Sequence, residues 1–261
     1  MNAQNIPRDD KVVKRAFVPK LGMLHFFDYS QIEPRLAAYF AAKIGYPELA
    51  DALRGGEDVY TSIARLATGK TEITPEERQV WKRVFLAILY GAGVRRVRET
   101  WVEETKTEIS EAQARKIYKQ FHANWPAVRD LQDSVIHIAQ TRGYIRALDG
   151  RHLHPEEYGE HKLLNKLIQG SAAGIMKQAV LLVYRHINGD PDMQTHMVSV
   201  IHDELILDGP LHEASWVHEE VPPLMAQAAP EDVRSIVPIL VDHEVSTTNW
   251  SEKEEYAEDQ G

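Results

Sequence analysis

Apolar and polar positions along this chain follow two periods. Gly22–Asp28 (GMLHFFD) is almost continuously apolar and ends in an acid, which predicts a short buried strand. From Ser30 to Ile44 the apolar residues Ile32, Leu36, Tyr39 and Phe40 fall on one helical face, and Gly45 follows. Asp58–Thr68 reads as a second helix, with Asp58 as N-cap and Gly69 past its end. Thr74-Pro75-Glu76-Glu77 combines a cap, a proline at the first helical position and the Glu of a capping box. That helix is expected to run to about Tyr90 and to stop at Gly91. Further helices are expected at about 110–122, 126–142, 161–188 and 211–228. One hairpin should turn at Asp149-Gly150. A second, Val198–Leu207, has two apolar runs flanking His202-Asp203-Glu204. A last strand over Ile236–Val245 leads to Trp250. Helices outnumber strands, so the expected fold is α+β: a small antiparallel sheet with a large helical part.

Composition narrows the class. The chain has 261 residues, enough for one large domain or two joined ones, and 43% are hydrophobic, which excludes disorder and collagen-like repeats. There is no cysteine, so disulfides, thiolate metal sites and a Cys nucleophile are excluded. No apolar run approaches 18 residues and the first ten residues are too polar for a signal peptide, so a soluble, cytoplasmic protein without a membrane partner is expected. The formal net charge is −9. It is unevenly spread: residues 203–261 carry −13, and Arg78–Arg98 holds six Lys/Arg and no acid. Such asymmetry permits nucleic-acid binding without showing it.

Two carboxylates sit in unusual places. Asp28 ends an apolar strand and Asp203 sits at the tip of an apolar hairpin. Brought together they would repel unless a divalent cation lay between them, as Mg²⁺ does in nucleotidyl-transfer sites. The alternative is that Asp28 caps the following helix and Asp203 is a turn residue. On the helix after Pro75, Trp81, Val84, Phe85 and Ile88 form a core stripe, and Arg78, Lys82, Leu86 and Tyr90 form another about 130° away. Two cations followed by an apolar residue and an aromatic ring suit a triphosphate and a base. A salt-bridged surface stripe would read the same way.

Together these residues resemble the family A DNA polymerases. Asp28-Tyr29-Ser30-Gln31-Ile32-Glu33-Pro34-Arg35 resembles motif A, Arg78-xxx-Lys82-xxxxxxx-Tyr90-Gly91 motif B, and His202-Asp203-Glu204 motif C. Gln4-Asn5-Ile6-Pro7, Arg15-Ala16-Phe17, Asn165-xxx-Gln169 and the ending Asn249-Trp250 resemble further landmarks, in the right order over nearly the whole chain. Pro34 and Leu164–Gln169 look like the bacteriophage branch. The resemblance implies a right-hand polymerase palm plus helical fingers, with the thumb absent. Residues 1–45 would be the first part of the palm, 46–125 the fingers and 126–261 the second part of the palm.

The resemblance also implies roles. Asp28 and Asp203 would hold two Mg²⁺ ions with the Tyr29 carbonyl, while Glu204 would tune the site. Arg78 and Lys82 would grip the phosphates, with Lys82 also the acid for the leaving pyrophosphate. Glu33 would exclude a 2′-hydroxyl, although Ser30-xx-Glu33 also reads as a capping box. Tyr90 would support the new base pair. Gln4, Asn5, Gln31, Arg35, Asn165, Gln169 and His202 would face primer and template.

Three positions depart from the pattern: Leu86 stands where Phe or Tyr is usual, Tyr60 where the bacterial branch has a phosphate-contacting His (its hydroxyl would still reach a phosphate oxygen), and His161 where an Arg lies near the primer. The implied partners are primer–template DNA, deoxynucleoside triphosphates and a separate thumb or processivity chain, in the host cytoplasm if the source is viral. A single-subunit RNA polymerase would share the palm but keep a small residue at Glu33. The remaining alternative is a truncated or split-gene palm/fingers chain that binds primer–template or a thumb-bearing partner and is inactive alone.

Overall fold

The structure, a computed structural model, describes Ile6 and residues 11–257. Its elements are α1 (Lys11–Lys14), β1 (Met23–Tyr29), α2 (Ile32–Lys43), α3 (Glu48–Arg54), α4 (Val59–Thr68), α5 (Pro75–Leu89), α6 (Val94–Thr105), α7 (Glu111–Asn124), α8 (Ala127–Arg142), β2 (Ile145–Arg146), β3 (His152–Leu153), α9 (Pro155–Tyr158), α10 (Leu163–Ile187), β4 (His196–Ile201), β5 (Glu204–Gly209), α11 (Ala214–Gln227), α12 (Glu231–Arg234), β6 (Val241–Ser246) and β7 (Glu254–Glu255). They form two compact units. Among the described residues, the first comprises Ile6 and residues 11–32, 172–234 and 239–257; the second comprises residues 33–171 and 235–238. The expected borders at 45/46 and 125/126 both fall inside the second unit.

The first unit is built on an antiparallel sheet of order β4-β5-β1-β6-β7. Its central strand β1 is buried on both faces, which is why its sequence is apolar without alternation. Phe26 lies opposite Ile206 on β5, and Phe27 opposite Leu205. One face packs Leu24, Phe26 and Ile206 with Trp250, and Ile6 and Ile201 lean on that cluster. Trp250 is fixed there by its amide, which donates to the Phe17 carbonyl at 2.9 Å. β6 begins at Val241 rather than Ile236. Pro238 has no amide for a ladder, and its carbonyl is taken by Arg35.

The opposite face carries a row of imidazoles. His25 Nδ1 is 3.1 Å from His243 Nε2, and His243 Nδ1 is 2.8 Å from His218 Nδ1 on α11. His25 is fully buried. Burial pulls its pKa down to about 4 against the opposing pull of Asp208 and Glu213, and burial with the neighbouring rings pulls His243 to about 3. Unfolded, these rings would titrate near 6.5, so between about 6.5 and 4 the unfolded chain binds more protons. Stability is therefore full above that window and is lost as pH falls through it. For His25 alone the loss is about 3 kcal/mol, a large part of a typical domain's stability. The unfolding free energy from denaturant titration should fall by that order between about pH 7 and pH 4. The fall should be shallower in His25→Asn; equal slopes would rule out His25 as the source.

In the second unit the helix signals hold where caps and apolar stripes are strong. Asp58 caps α4 by accepting the Tyr60 and Thr61 amides, and Gly69 closes it in the left-handed region. Thr74 and Glu77 form the capping box of α5. At the other end of α5, Gln132 Nε2 on α8 donates to the Ile88 and Leu89 carbonyls, satisfying two acceptors a helix end leaves over. Three helices had no readable signal, among them the four-residue α9. α3 is only seven residues long. α6 opens with Val-Arg-Arg-Val-Arg and buries only Val97 and Thr100, too narrow a stripe to register. The β2–β3 hairpin turns through Asp149-Gly150 as expected. By length and composition alone α10 could cross a membrane, but Leu163, Ile168, Ala179 and Val183 are fully buried in protein, as in a core helix.

Candidate active site

The acidic cluster belongs to the first unit. Asp28 is the sixth residue of β1, four positions before α2 begins, so it is a strand residue and not the cap of that helix. Its partners in register are Glu204 at the head of β5 and Asp242 on β6. Directly opposed residues share a face, so three carboxylates lie abreast across the sheet, an arrangement that repulsion disfavours in isolation. Asp203 stands exposed in the two-residue turn joining β4 and β5. Its neighbour His202 has φ 58°, and Gln31, in the turn after β1, has φ 52°. Left-handed backbone at a non-glycine residue is uncommon and gathers at functional sites. Here it flanks both aspartates.

Among the described residues no group of three or more His, Asp or Glu side chains converges as a ready cation cage. Mg²⁺ does not need one, since it binds through one or two carboxylates and completes its shell with water and phosphate oxygens. Asp28 and Asp203 are donors of that kind. Glu204 is differently placed. Its carboxylate is ion-paired with Lys253, whose Nζ lies 4.1 Å from the Phe26 ring centroid and 3.6 Å from Glu244. The Tyr29 side chain is buried and donates to the Met225 carbonyl at 2.7 Å; burial raises its pKa.

The residues expected from sequence to face phosphate and base lie on α5 in the second unit. Trp81, Val84, Phe85 and Ile88 are buried as a core face. Arg78, Lys82, Leu86 and Tyr90 are all half-buried, so this stripe is not a solvated surface. Arg78 does have an ion-pair partner: its Nε donates to Asp58 at 2.7 Å. Asp58 thus caps α4 with one oxygen and orients the guanidinium with the other. Tyr60, expected to contact phosphate, is 1% exposed. Its ring packs edge-on against Phe85, with Arg78 at 5.2 Å and Lys82 at 5.8 Å over it. It supports the cations from beneath.

Tyr90 closes α5 and donates its hydroxyl to Glu33 at 2.6 Å. Burial, then the Glu33 charge and hydrogen bond, push the Tyr90 pKa up, so the phenol stays protonated as a donor. The Ser30 amide that a capping box would give to Glu33 goes to the Leu240 carbonyl instead. That leaves Glu33 to Tyr90. A cavity of about 870 Å³ is lined by Glu33, Leu86, Tyr90, His161, Asn165 and Gln169, so six of the residues singled out from sequence share one space.

Arg35, expected to face primer, does not. It is 3% exposed and its Nη1 donates to the Pro238 carbonyl at 2.8 Å, which makes it a structural tie within its unit. His202 is exposed on the hairpin turn, and Gln31 is half-buried with its side-chain oxygen lacking a hydrogen-bond partner among the described residues. Gln4 and Asn5 lie outside the described residues. Asp58, Asp242 and Lys253 were missed from sequence. Asp58 carried a signal as an N-cap with spare capacity, whereas the other two gain significance only from strand register.

The first unit carries a sheet with apposed acids, and the second carries a helix with cations and a ring beside a cavity, within an α+β fold. The family model described as DNA polymerase family A matches residues 1–252, and the chain belongs to that family. It is similar to DNA polymerase I of Lactococcus lactis subsp. lactis, 28% identical over 271 residues, which cover 96% of this chain and 29% of that protein. DNA polymerase I of Synechocystis sp. is 30% identical over 283 residues, with coverage of 96% and 27%. The solved POL domain of Pol1 from M. smegmatis, in complex with DNA primer-template and dNTP, matches with a TM-score of 0.80 at 29% identity, covering 96% of this chain and 44% of that one. The chain therefore spans under a third of the curated relatives named. Those relatives are bacterial, so the bacteriophage-like branch expected from Pro34 and Leu164–Gln169 is not supported.

Proposed function

We propose that this chain is the catalytic core of a DNA-directed DNA polymerase, transferring a deoxynucleotide to a primer 3′ end. The observation that carries the reading is the row Glu204–Asp28–Asp242 beside Asp203, at turns with left-handed backbone. Asp28 and Asp203, with the Tyr29 carbonyl, are the residues that would hold two Mg²⁺ ions. When bound, the metal supplies Lewis-acid stabilisation of the attacking and leaving oxygens. Arg78 and Lys82 bind the triphosphate, Arg78 being aimed by Asp58, and the Lys82 ammonium gives a proton to the departing pyrophosphate oxygen. Glu33, held by Tyr90, excludes a ribose 2′-hydroxyl, and the Tyr90 ring stacks beneath the new pair. Asn165, Gln169, Gln31, His202, Gln4 and Asn5 are proposed to contact primer and template. Residues 46–125 are proposed to correspond to fingers, and residues 1–45 and 126–261 to palm.

The test is primer extension by the purified chain with Mg²⁺ and deoxynucleoside triphosphates. Template-dependent extension supports the reading. Extension only after a second chain is added favours the alternative, a core that binds primer–template and is inactive alone. Leu86 gives a finer check. It adds an apolar side chain to the cavity wall and offers no hydroxyl in place of a missing sugar 3′-OH. Discrimination against dideoxynucleotides is expected, and Leu86→Tyr should reduce it about tenfold or more, about 1.4 kcal/mol. The ratio of kcat/KM for deoxy- to dideoxynucleotide measures this, and equal incorporation by the unaltered chain would remove Leu86 from the sugar pocket.

A further inference from the structure

Lys253 has no part in the roles given so far, yet its contacts place it at the acidic row. It precedes β7 and follows Trp250, which is anchored in the sheet core. Its ammonium lies over the Phe26 ring of β1, pairs with Glu204 of β5, and reaches Glu244 of β6 at 3.6 Å. Both members of the Glu204–Lys253 pair are largely withdrawn from solvent, with side chains 16% and 20% exposed. In register, Glu204 stands directly beside Asp28. Unpaired, it would be an additional hard oxygen ligand next to the aspartates.

We infer that Lys253 is a positioning residue which withholds Glu204 from the metal ions and leaves Asp28 and Asp203 as their carboxylate ligands. The inference rests on the metal-dependent polymerase reading. The physical reason is charge and reach. A divalent cation competes with an ammonium for the same carboxylate, and a lysine held over an aromatic ring and flanked by two glutamates is already well stabilised where it is. Binding by Glu204 as well would add a third carboxylate to the donor set of Asp28 and Asp203. The lysine also lowers the local negative charge, so that metals are held without being trapped.

The test uses the full chain and Mn²⁺ as the probe, with binding read by electron paramagnetic resonance and the fold checked by near-ultraviolet circular dichroism. Lys253→Met should tighten Mn²⁺ binding about tenfold and lower kcat for extension with little change in KM for the nucleotide. Lys253→Arg should keep wild-type binding. The double variant Lys253→Met/Glu204→Gln removes a charge pair as a neutral unit, and its Mn²⁺ affinity should return to within about threefold of wild type. Unchanged Mn²⁺ affinity in folded Lys253→Met overturns the inference. Should that variant fail to fold, the double variant decides: affinity about tenfold below wild type would make Glu204 a ligand and overturn it equally. Failure of the underlying reading is separate, because it would appear as Mn²⁺ binding indifferent to Asp28→Asn and Asp203→Asn.

Discussion

Asp28→Asn and Asp203→Asn should each abolish primer extension while leaving the chain folded. Asp28 sits between Glu204 and Asp242 in register, and Asp203 projects from the adjoining turn. If both carboxylates hold metal, each supplies charge that the other cannot replace. A loss of a thousandfold or more, about 4 kcal/mol of barrier, is expected. Stability should move the other way or not at all. Replacing Asp28 by a neutral isostere relieves cross-strand repulsion with Asp242, Glu204 being paired with Lys253, so the thermal midpoint of Asp28→Asn should equal or exceed that of the unaltered chain. Removing charge from a site under electrostatic strain commonly trades activity for stability. Single-turnover extension and thermal melts measure the pair. Retention of more than about a tenth of the rate, a change of only ~1.4 kcal/mol, would sink the assignment.

Glu33→Ala should reduce discrimination against ribonucleotides by about a hundredfold, ~2.7 kcal/mol. The argument is positional. Glu33 lines the cavity with Leu86 and Tyr90, and the Tyr90 hydroxyl holds its carboxylate at 2.6 Å. A carboxylate fixed in this way is a steric wall, and also a desolvated acceptor that an incoming ribose hydroxyl must displace from its donor. Tyr90→Phe keeps the wall but frees it to rotate, so an intermediate loss of about tenfold is expected. The measurement is kcat/KM for deoxy- over ribonucleotide in the two variants. An unchanged ratio in Glu33→Ala would leave that residue only its bond to Tyr90.

Much of the site was legible because its residues obey local rules. The α5 caps and its two stripes follow from spacing within one helix, and the structure reproduces both. The Asp149-Gly150 hairpin and the turn at His202-Asp203 follow from residues adjacent in the chain. Where reading failed, the deciding partner was distant. Arg35 looked like a DNA contact until Pro238, over two hundred residues away in sequence, took its guanidinium. Ser30 and Glu33 looked like a capping box until Leu240 accepted the amide and Tyr90 the side chain. Tyr60 looked like a phosphate ligand, but Phe85 buried it.

The strongly capped helices, the hairpin turns and the family resemblance could be read from sequence alone. Helix caps, glycine stops and apolar periods act over one or two turns, and three motifs spaced along the chain carry the resemblance that the family match bears out. Tertiary structure alone decided the charge environment. Asp28, Glu204 and Asp242 come abreast because β1 lies between β5 and β6, and Lys253 joins them because Trp250 packs its segment onto the sheet. Electrostatic energy depends on distance through space, and strand order sets that distance without leaving a mark in any local window of residues.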